Sequence, residues 1–195
     1  MKQFIKHRVI LISFVAVSLF AGCEKSDSSY LYGDSYIFIP QSNVSGGVNL
    51  YYLVPTGADV NTYNYKIDIP TNSVNILLGL NRSGMEAYSA FSVTVATRSD
   101  TINQLIANGK INLTTSAKPV VLLPSAEYTL PATVSVPAGL ASTSFNLTIS
   151  IPVLKTYAGK KVALCVAISN PTLYRLSPAY NKVIVLVDVD ALKLP

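Results

Sequence analysis

The chain contains no Trp, a single His and only two Cys among its 195 residues. The one histidine, His7, lies in an N-terminal segment that we expect to be removed, so the mature chain has no imidazole. Serine and cysteine nucleophiles usually need a histidine base, and zinc sites usually need His or Cys ligands. These absences argue against the common hydrolases and against zinc, and leave Ca²⁺ with oxygen ligands as the realistic metal.

The residues before Cys23 predict export. Basic residues near Met1 precede an uninterrupted apolar or Ser-containing run over 9–20. That run is shorter than the roughly 20 residues that span a bilayer, and small residues directly before Cys23 are typical of lipoprotein cleavage. We therefore predict a signal peptide over residues 1–22 and lipidation of Cys23. A single-pass anchor, or an ordinary signal peptide followed by a chance Cys, is the alternative.

Removal of the signal peptide also changes the charge. Three of the 15 Lys and Arg residues but none of the 10 Asp and Glu residues precede Cys23, so the formal charge falls from +5 to +2. This small charge gives no reason to expect a nucleic-acid partner. We predict that residues 23–32 form a polar tether and that acyl chains on Cys23 hold the protein at the cell envelope. We expect the outer membrane, with the domain facing the periplasm or the cell surface.

Residues 33–195 predict a single all-β domain. Short runs rich in Val, Ile, Thr and Tyr are separated by Pro, Gly and Asn, and within 144–151 apolar and polar residues alternate. This pattern favours an antiparallel β-sandwich of immunoglobulin-like architecture. No repeat or low-complexity linker divides the domain. The predicted strands cover residues 36–39, 48–54, 63–69, 74–80, 90–97, 120–123, 133–136, 144–151, 161–169 and 182–189.

One short helix interrupts these strands. Ser99 or Asp100 can cap its start, apolar residues recur on one face, and Gly109 lies where a helix C-terminus usually closes. We expect this helix to cover an end of the sandwich.

The acidic residues form no recognisable catalytic motif. A glycosidase needs two carboxylates converging on the sugar, and Glu127 is better explained as a strand-edge carboxylate. We therefore predict no enzyme activity, no catalytic residue and no cofactor. Asp188 and Asp190 share one side of a strand and are weak candidates for Ca²⁺, with a solvated strand end as the plainer alternative. Cys165 lies between alanines in an apolar strand, which predicts a buried small side chain rather than a reactive thiol.

Tyrosine is the one compositional signal for carbohydrate binding. All 12 tyrosines follow Cys23, and aromatic rings stack on the apolar faces of sugars. Tyr is also an ordinary half-buried sheet residue, so a structural role is the alternative. Two pairs, Tyr51–Tyr52 and Tyr63–Tyr65, lie on predicted strands that could pair as a hairpin. The candidates are Tyr51, Tyr52, Asn61, Tyr63, Asn64 and Tyr65 in a first cluster, and Tyr174, Arg175 and Tyr180 in a second.

The stretch Val121–Leu130, followed by residues 134–139, resembles the signature of the DUF1735 domain. This domain is also called the BT_3987-like N-terminal domain and occurs in Bacteroidetes lipoproteins. The opening 36–41 and the block 157–187 are similar in placement to that family. The resemblance implies a β-sandwich displayed by gut-type bacteria, often in loci for glycan capture and degradation, and it carries no catalytic residue. In larger relatives the domain precedes a glycan-binding module or a glycosidase-like domain.

The sequence thus predicts a non-catalytic envelope lipoprotein that binds or presents glycan. The alternative is a structural or adhesion subunit that contacts other envelope proteins. A glycan binder should expose two or more Tyr in a concave groove, whereas an interaction subunit should expose a flat apolar face or a long unpaired edge strand.

Overall fold

A computed structural model describes residues 34–44, 47–48, 51–59, 61–111 and 118–195. The predicted signal peptide (1–22), Cys23 and the tether (23–32) lie outside these residues. No helix in the described ranges has the length and apolar character to cross a membrane.

Twelve of the fourteen described strands form two six-stranded sheets. The strands of the first sheet are β1 (Tyr36–Phe38), β5 (Tyr65–Asp68), β6 (Ser73–Arg82), β9 (Tyr128–Thr129), β11 (Ser142–Ser150) and β13 (Arg175–Leu176). Their order is β13-β1-β6-β11-β9. Strand β11 lies along the whole of β6, and β5 and β1 share the other edge of β6.

The strands of the second sheet are β4 (Tyr51–Val54), β7 (Phe91–Thr97), β8 (Val120–Leu122), β10 (Thr133–Val136), β12 (Lys161–Ser169) and β14 (Lys182–Asp188). This sheet is built around β12 in the order β10-β7-β12-β14-β4, with β8 also paired to β12. The short strands β2 (Asn43–Val44) and β3 (Gly47–Val48) pair separately. Three pairs, β1/β13, β12/β8 and β14/β4, are parallel. The predicted all-β sandwich is confirmed, and the sheets are mixed rather than purely antiparallel.

The core lies between the sheets because alternate residues of each strand point inward. On β6 and β11 these are Val74, Ile76, Leu78, Leu80, Phe145, Leu147 and Ile149, and on β12 and β14 they are Val162, Leu164, Val166, Ile168, Val183, Val185 and Val187. Burial of one such side chain contributes about 1.5–3 kcal/mol, so this alternation is the main determinant of the fold.

The predicted helix is α1 (Ser99–Ala107). Its N-cap residue is Arg98, without a side-chain cap, rather than Ser99 or Asp100. At its C-terminus Gly109 has φ +65° and donates to the Ile106 carbonyl, as a glycine-closed helix requires. A second helix of one turn, α2 (Ile151–Lys155), follows β11.

Helix α1 lies on the outer face of the second sheet, not at an end of the sandwich as predicted. Ile102 packs there against Ala163 and Cys165 of β12, together with Ile184 and Leu186 of β14. Alternate outward positions of β12 carry small residues, which lets the helix approach the sheet closely. This placement makes a second, smaller apolar core.

Candidate functional site

An aromatic groove lies on the outer face of the first sheet beside β1. It has a volume of about 390 Å³, and we call it the aromatic groove. Three aromatic rings, two hydroxyls and one proline line it: Tyr36, Phe38, Tyr180, Ser83, Ser177 and Pro178. The rings are half-buried, so each keeps part of its surface available to a ligand.

The alternation of β1 produces one wall of this groove. Ile37 and Ile39 are fully buried in the core, which directs Tyr36 and Phe38 outward. The segment after β13 supplies the other wall. The Ile39 N–H donates to the Tyr180 carbonyl at 2.9 Å, and the Ser177 N–H donates to the Ile37 carbonyl at 2.8 Å. These backbone bonds fix Tyr180 beside the strand.

A charged pair adjoins the groove at Tyr36. The Arg175 guanidinium lies 2.7 Å from the Asp34 carboxylate, and the Tyr36 hydroxyl donates to the same carboxylate at 3.4 Å. Both charged side chains are largely exposed. The arrangement offers rings for an apolar ligand face and exposed hydrogen-bonding groups at the rim, the combination that suits a sugar.

Tyr174, predicted with Arg175 and Tyr180, has a structural role. The Arg82 guanidinium carbon lies 4.8 Å from the Tyr174 ring centre and 4.3 Å from that of Tyr88, so the cation is held between two rings. Arg82 also donates to the carbonyls of Glu86 and Ala87. We call this arrangement the Arg82 clamp. It fixes the 83–90 loop and leaves Tyr174 out of the groove lining.

The first predicted cluster is divided between the two sheets. Strand β4 pairs with β14 and β5 pairs with β6, so the expected hairpin between them does not form. The Tyr51 hydroxyl donates to the Lys110 carbonyl beside α1, at 2.9 Å. The Tyr52 ring packs against the main core, and its hydroxyl donates to the Leu77 carbonyl at 3.2 Å. Burial raises the pKa of both tyrosines, and the Asn64 side chain partly offsets the rise at Tyr52.

The remaining members of that cluster lie around the 56–65 loop. The Asn64 side chain accepts from the Thr56 N–H at 2.9 Å and donates to the Leu53 carbonyl at 2.7 Å, so its amide is already engaged. Asn61 is exposed. The rings of Tyr63 and Tyr65 stack with centres 5.3 Å apart. This half-buried stack is a surface feature separate from the aromatic groove.

Lys118 lies between the two carboxylates proposed as weak Ca²⁺ ligands. Its ammonium is 2.6 Å from Asp188 and 2.8 Å from Asp190. Hydrogen bonds to both carboxylates raise the pKa of Lys118. A hydrogen bond from the Gly159 N–H lowers the pKa of Asp190, and the hydrogen bond from Lys118 lowers it further. The described residues contain no group of three or more His, Cys, Asp or Glu placed to hold a metal.

A larger polar groove crosses the other half of the first sheet and was not predicted. It has a volume of about 530 Å³. Most of its lining residues carry a hydroxyl, amide or carboxylate group, including Asp68, Thr71, Ser73, Asn75, Glu127, Thr129, Thr148 and Ser150. Thr148 donates to Asn75 at 2.7 Å, and the Tyr157 hydroxyl donates to Glu127 at 2.7 Å. Glu127 is thus bonded to a side chain rather than to backbone. The one aromatic residue of the lining is Tyr128.

Tyr128 belongs to the signature stretch and links the two sheets. Its hydroxyl donates to the Thr97 hydroxyl of β7 at 2.7 Å, although β9 itself lies in the first sheet. Leu123 of the same stretch is buried in the core. These two residues of the stretch therefore help to hold the sandwich together. Cys165 is buried beneath α1 as predicted, and burial raises the pKa of its thiol.

Several Bacteroides proteins of known structure are similar to the chain. One from Bacteroides ovatus is a multidomain protein including DUF1735 (21% identity, TM-score 0.46, 78% of this chain and 44% of that chain). One from Bacteroides thetaiotaomicron is described as an auxiliary nutrient binding protein (20% identity, TM-score 0.44, 70% and 42%). A third is EndoBT-3987 with its Man5GlcNAc product, from the latter species (18% identity, TM-score 0.43, 78% and 30%).

The chain spans between 30% and 46% of the length of the Bacteroides proteins it matches. No curated protein matches it. A family described as a “-like, N-terminal domain” matches residues 32–174, which include the signature stretch. The chain therefore belongs to the DUF1735 family, the BT_3987-like N-terminal domain family.

Proposed function

We propose that this protein is a non-catalytic lipoprotein of the cell envelope that binds glycan in the aromatic groove. The observation that carries the proposal is the convergence of Tyr36, Phe38 and Tyr180 on one open depression with hydroxyl groups at its margin. Aromatic faces bind the C–H faces of sugars, and exposed hydroxyl, carboxylate and guanidinium groups bind sugar hydroxyls. Cys23 supplies the lipid anchor in this proposal.

The groove favours this reading over a structural subunit that joins partners by strand addition. Two tyrosines in a concave groove meet the criterion for the glycan binder.

The test is a glycan-array screen of the mature protein, with Tyr36→Ala and Tyr180→Ala variants. Removal of one ring that contacts the sugar should weaken binding roughly tenfold or more, because burial of an aromatic side chain contributes about 1.5–3 kcal/mol. A Tyr63→Ala, Tyr65→Ala double variant is the matched control, since it removes a half-buried aromatic stack outside the groove. Circular dichroism checks that each variant is folded.

Three results would be informative. Binding lost only in the groove variants supports the proposed site. Binding lost only in the Tyr63→Ala, Tyr65→Ala variant would support glycan recognition as the function but reject the aromatic groove as its site. A wild-type protein that binds no host, plant or microbial glycan would reject the function itself, and capture of envelope proteins would then test the structural alternative.

A further inference from the structure

Three loops meet at one end of the sandwich, which we call the N-terminal end. They are residues 83–90 between β6 and β7, 137–141 between β10 and β11, and 170–174 between β12 and β13. The Gly139 N–H donates to the Tyr88 carbonyl at 2.8 Å, and the Ser89 N–H donates to the Tyr174 hydroxyl at 3.0 Å. The loops therefore form one continuous surface, held from beneath by the Arg82 clamp.

This end exposes large apolar side chains. Among the described residues, seven large hydrophobic side chains are strongly exposed, and four of them lie on these loops. They are Met85, Tyr88, Leu140 and Leu173. Their clustering matters more than their number, because hydrophobic residues scattered singly over a surface need no explanation.

The same loops are almost uncharged. Their one charged residue is Glu86, and the exposed Asp34–Arg175 pair adjoins them. The opposite end, which we call the C-terminal end, carries many charges of both signs around α2, the end of β14 and Pro195. These are Lys118, Lys155, Lys160, Asp188, Asp190 and Lys193. The two ends of the domain thus differ strongly in polarity.

The described chain enters the domain at the apolar end. A Cβ added to Gly84 would lie 2.6 Å from the Ser35 hydroxyl, and the Ser83 N–H donates to the Tyr36 carbonyl at 2.9 Å, so Asp34 and Ser35 lie against the 83–90 loop. From Cys23 to Asp34 the backbone can reach at most about 40 Å, whatever its conformation. A lipid on Cys23 would hold this end within about 40 Å of the bilayer.

We propose that the N-terminal end lies against the bilayer that holds the Cys23 lipid, with Met85, Tyr88, Leu140 and Leu173 in the headgroup and upper acyl region. Leu and Met favour the acyl boundary, and Tyr favours the interface because its ring is apolar and its hydroxyl is polar. The inference goes beyond glycan binding and rests on the proposed anchor. Strand β6 has ten residues and spans about 33 Å, so the C-terminal end would stand away from the membrane and the aromatic groove would open sideways.

The absence of Trp provides a clean test. The full lipidated protein is reconstituted in phosphatidylcholine vesicles, with and without brominated acyl chains that quench Trp on contact. Each variant carries one Trp as a fluorescent reporter. The substitutions are Met85→Trp and Leu140→Trp at the N-terminal end and Ile69→Trp at the C-terminal end. Met85 and Ile69 are 64% and 62% exposed, so the substitutions are matched in exposure. Thermal melting confirms that each variant folds.

We expect strong quenching and a blue-shifted spectrum at both N-terminal reporters, and neither at Ile69→Trp. Equal quenching at the two ends, or stronger quenching at Ile69→Trp, would overturn the orientation. Quenching absent at both ends would also overturn it, and would favour a partner protein rather than the bilayer as the cover of the apolar loops. Protein that stays in the aqueous phase after reconstitution would reject the anchor and with it the orientation. Glycan binding is read separately on the array, so its failure cannot be mistaken for either result.

Discussion

At the scale of single residues, Arg82 is a buried cation with no salt bridge among the described residues. It is 6% exposed, and its guanidinium lies between two rings and donates to Ser35, Glu86 and Ala87. We expect Arg82→Met to lower the free energy of unfolding by about 2–3 kcal/mol, because the substitution leaves one buried and two part-buried acceptors unpaired. Urea denaturation measures the change.

The matched control for Arg82 is Arg98→Met. Arg98 is largely exposed and pairs with an equally exposed carboxylate, Asp100. Such surface pairs contribute little to stability, so this variant should unfold near the wild-type urea concentration. Equal effects of the two substitutions would show that the Arg82 clamp has no special importance.

The residues of the groove could be only partly predicted from the sequence. Tyr180 and Arg175 were singled out and lie in or beside the groove, whereas Tyr36 and Phe38 were predicted only as strand residues. The alternation of Tyr36, Ile37, Phe38 and Ile39 was the available signal. It indicates that two aromatic residues share a face, but it cannot tell whether a distant segment such as 177–180 forms a second wall there.

At the scale of elements, the docking of α1 depends on small residues beneath it. Ala163 is fully buried under the helix, whereas Ala167 has the same outward orientation on β12 but is only half-buried. We expect Ala163→Leu to lower the free energy of unfolding by about 1–3 kcal/mol, because the larger side chain would push α1 away from the sheet. The matched control, Ala167→Leu, should have a clearly smaller effect in the same denaturation experiment. Equal losses would argue against close packing of the helix.

The sequence predicts the strands themselves more accurately than it predicts which strands pair within each sheet. Long alternating strands such as β6 and β11 are evident because their core faces repeat every second residue. The two-residue strands β9 and β13 are too short to show a period, and the pairing of β4 with β14 rather than β5 depends on tertiary contacts that four residues do not specify. The Ala163-x-Cys165-x-Ala167 pattern was a signal that a helix covers the outer face of the second sheet, yet the same pattern is equally compatible with close packing of another strand.

At the scale of the whole molecule, the two ends of the sandwich are held by different chemistry. The Arg82 clamp at the N-terminal end depends on a guanidinium, a side-chain group that is not deprotonated in proteins. The C-terminal end depends on titratable groups, including Lys118 between two carboxylates and the Tyr157–Glu127 hydrogen bond. Alkaline pH should therefore weaken the two ends unequally.

The comparison of Tyr157→Phe with Arg82→Met tests this difference. Burial, then the hydrogen bond and charge of Glu127, raises the pKa of Tyr157 to about 12 from its ordinary value of 10.0. Because the folded pKa is the higher one, the stabilising contribution of the hydroxyl is complete below pH 10 and is lost as the pH rises toward 12. In urea denaturation from pH 8 to 12, the stability difference between wild type and Tyr157→Phe should stay constant to about pH 10 and then shrink. The loss of stability caused by Arg82→Met should not shrink above pH 10 in this way. Parallel pH profiles for the two variants would contradict the proposed difference between the ends.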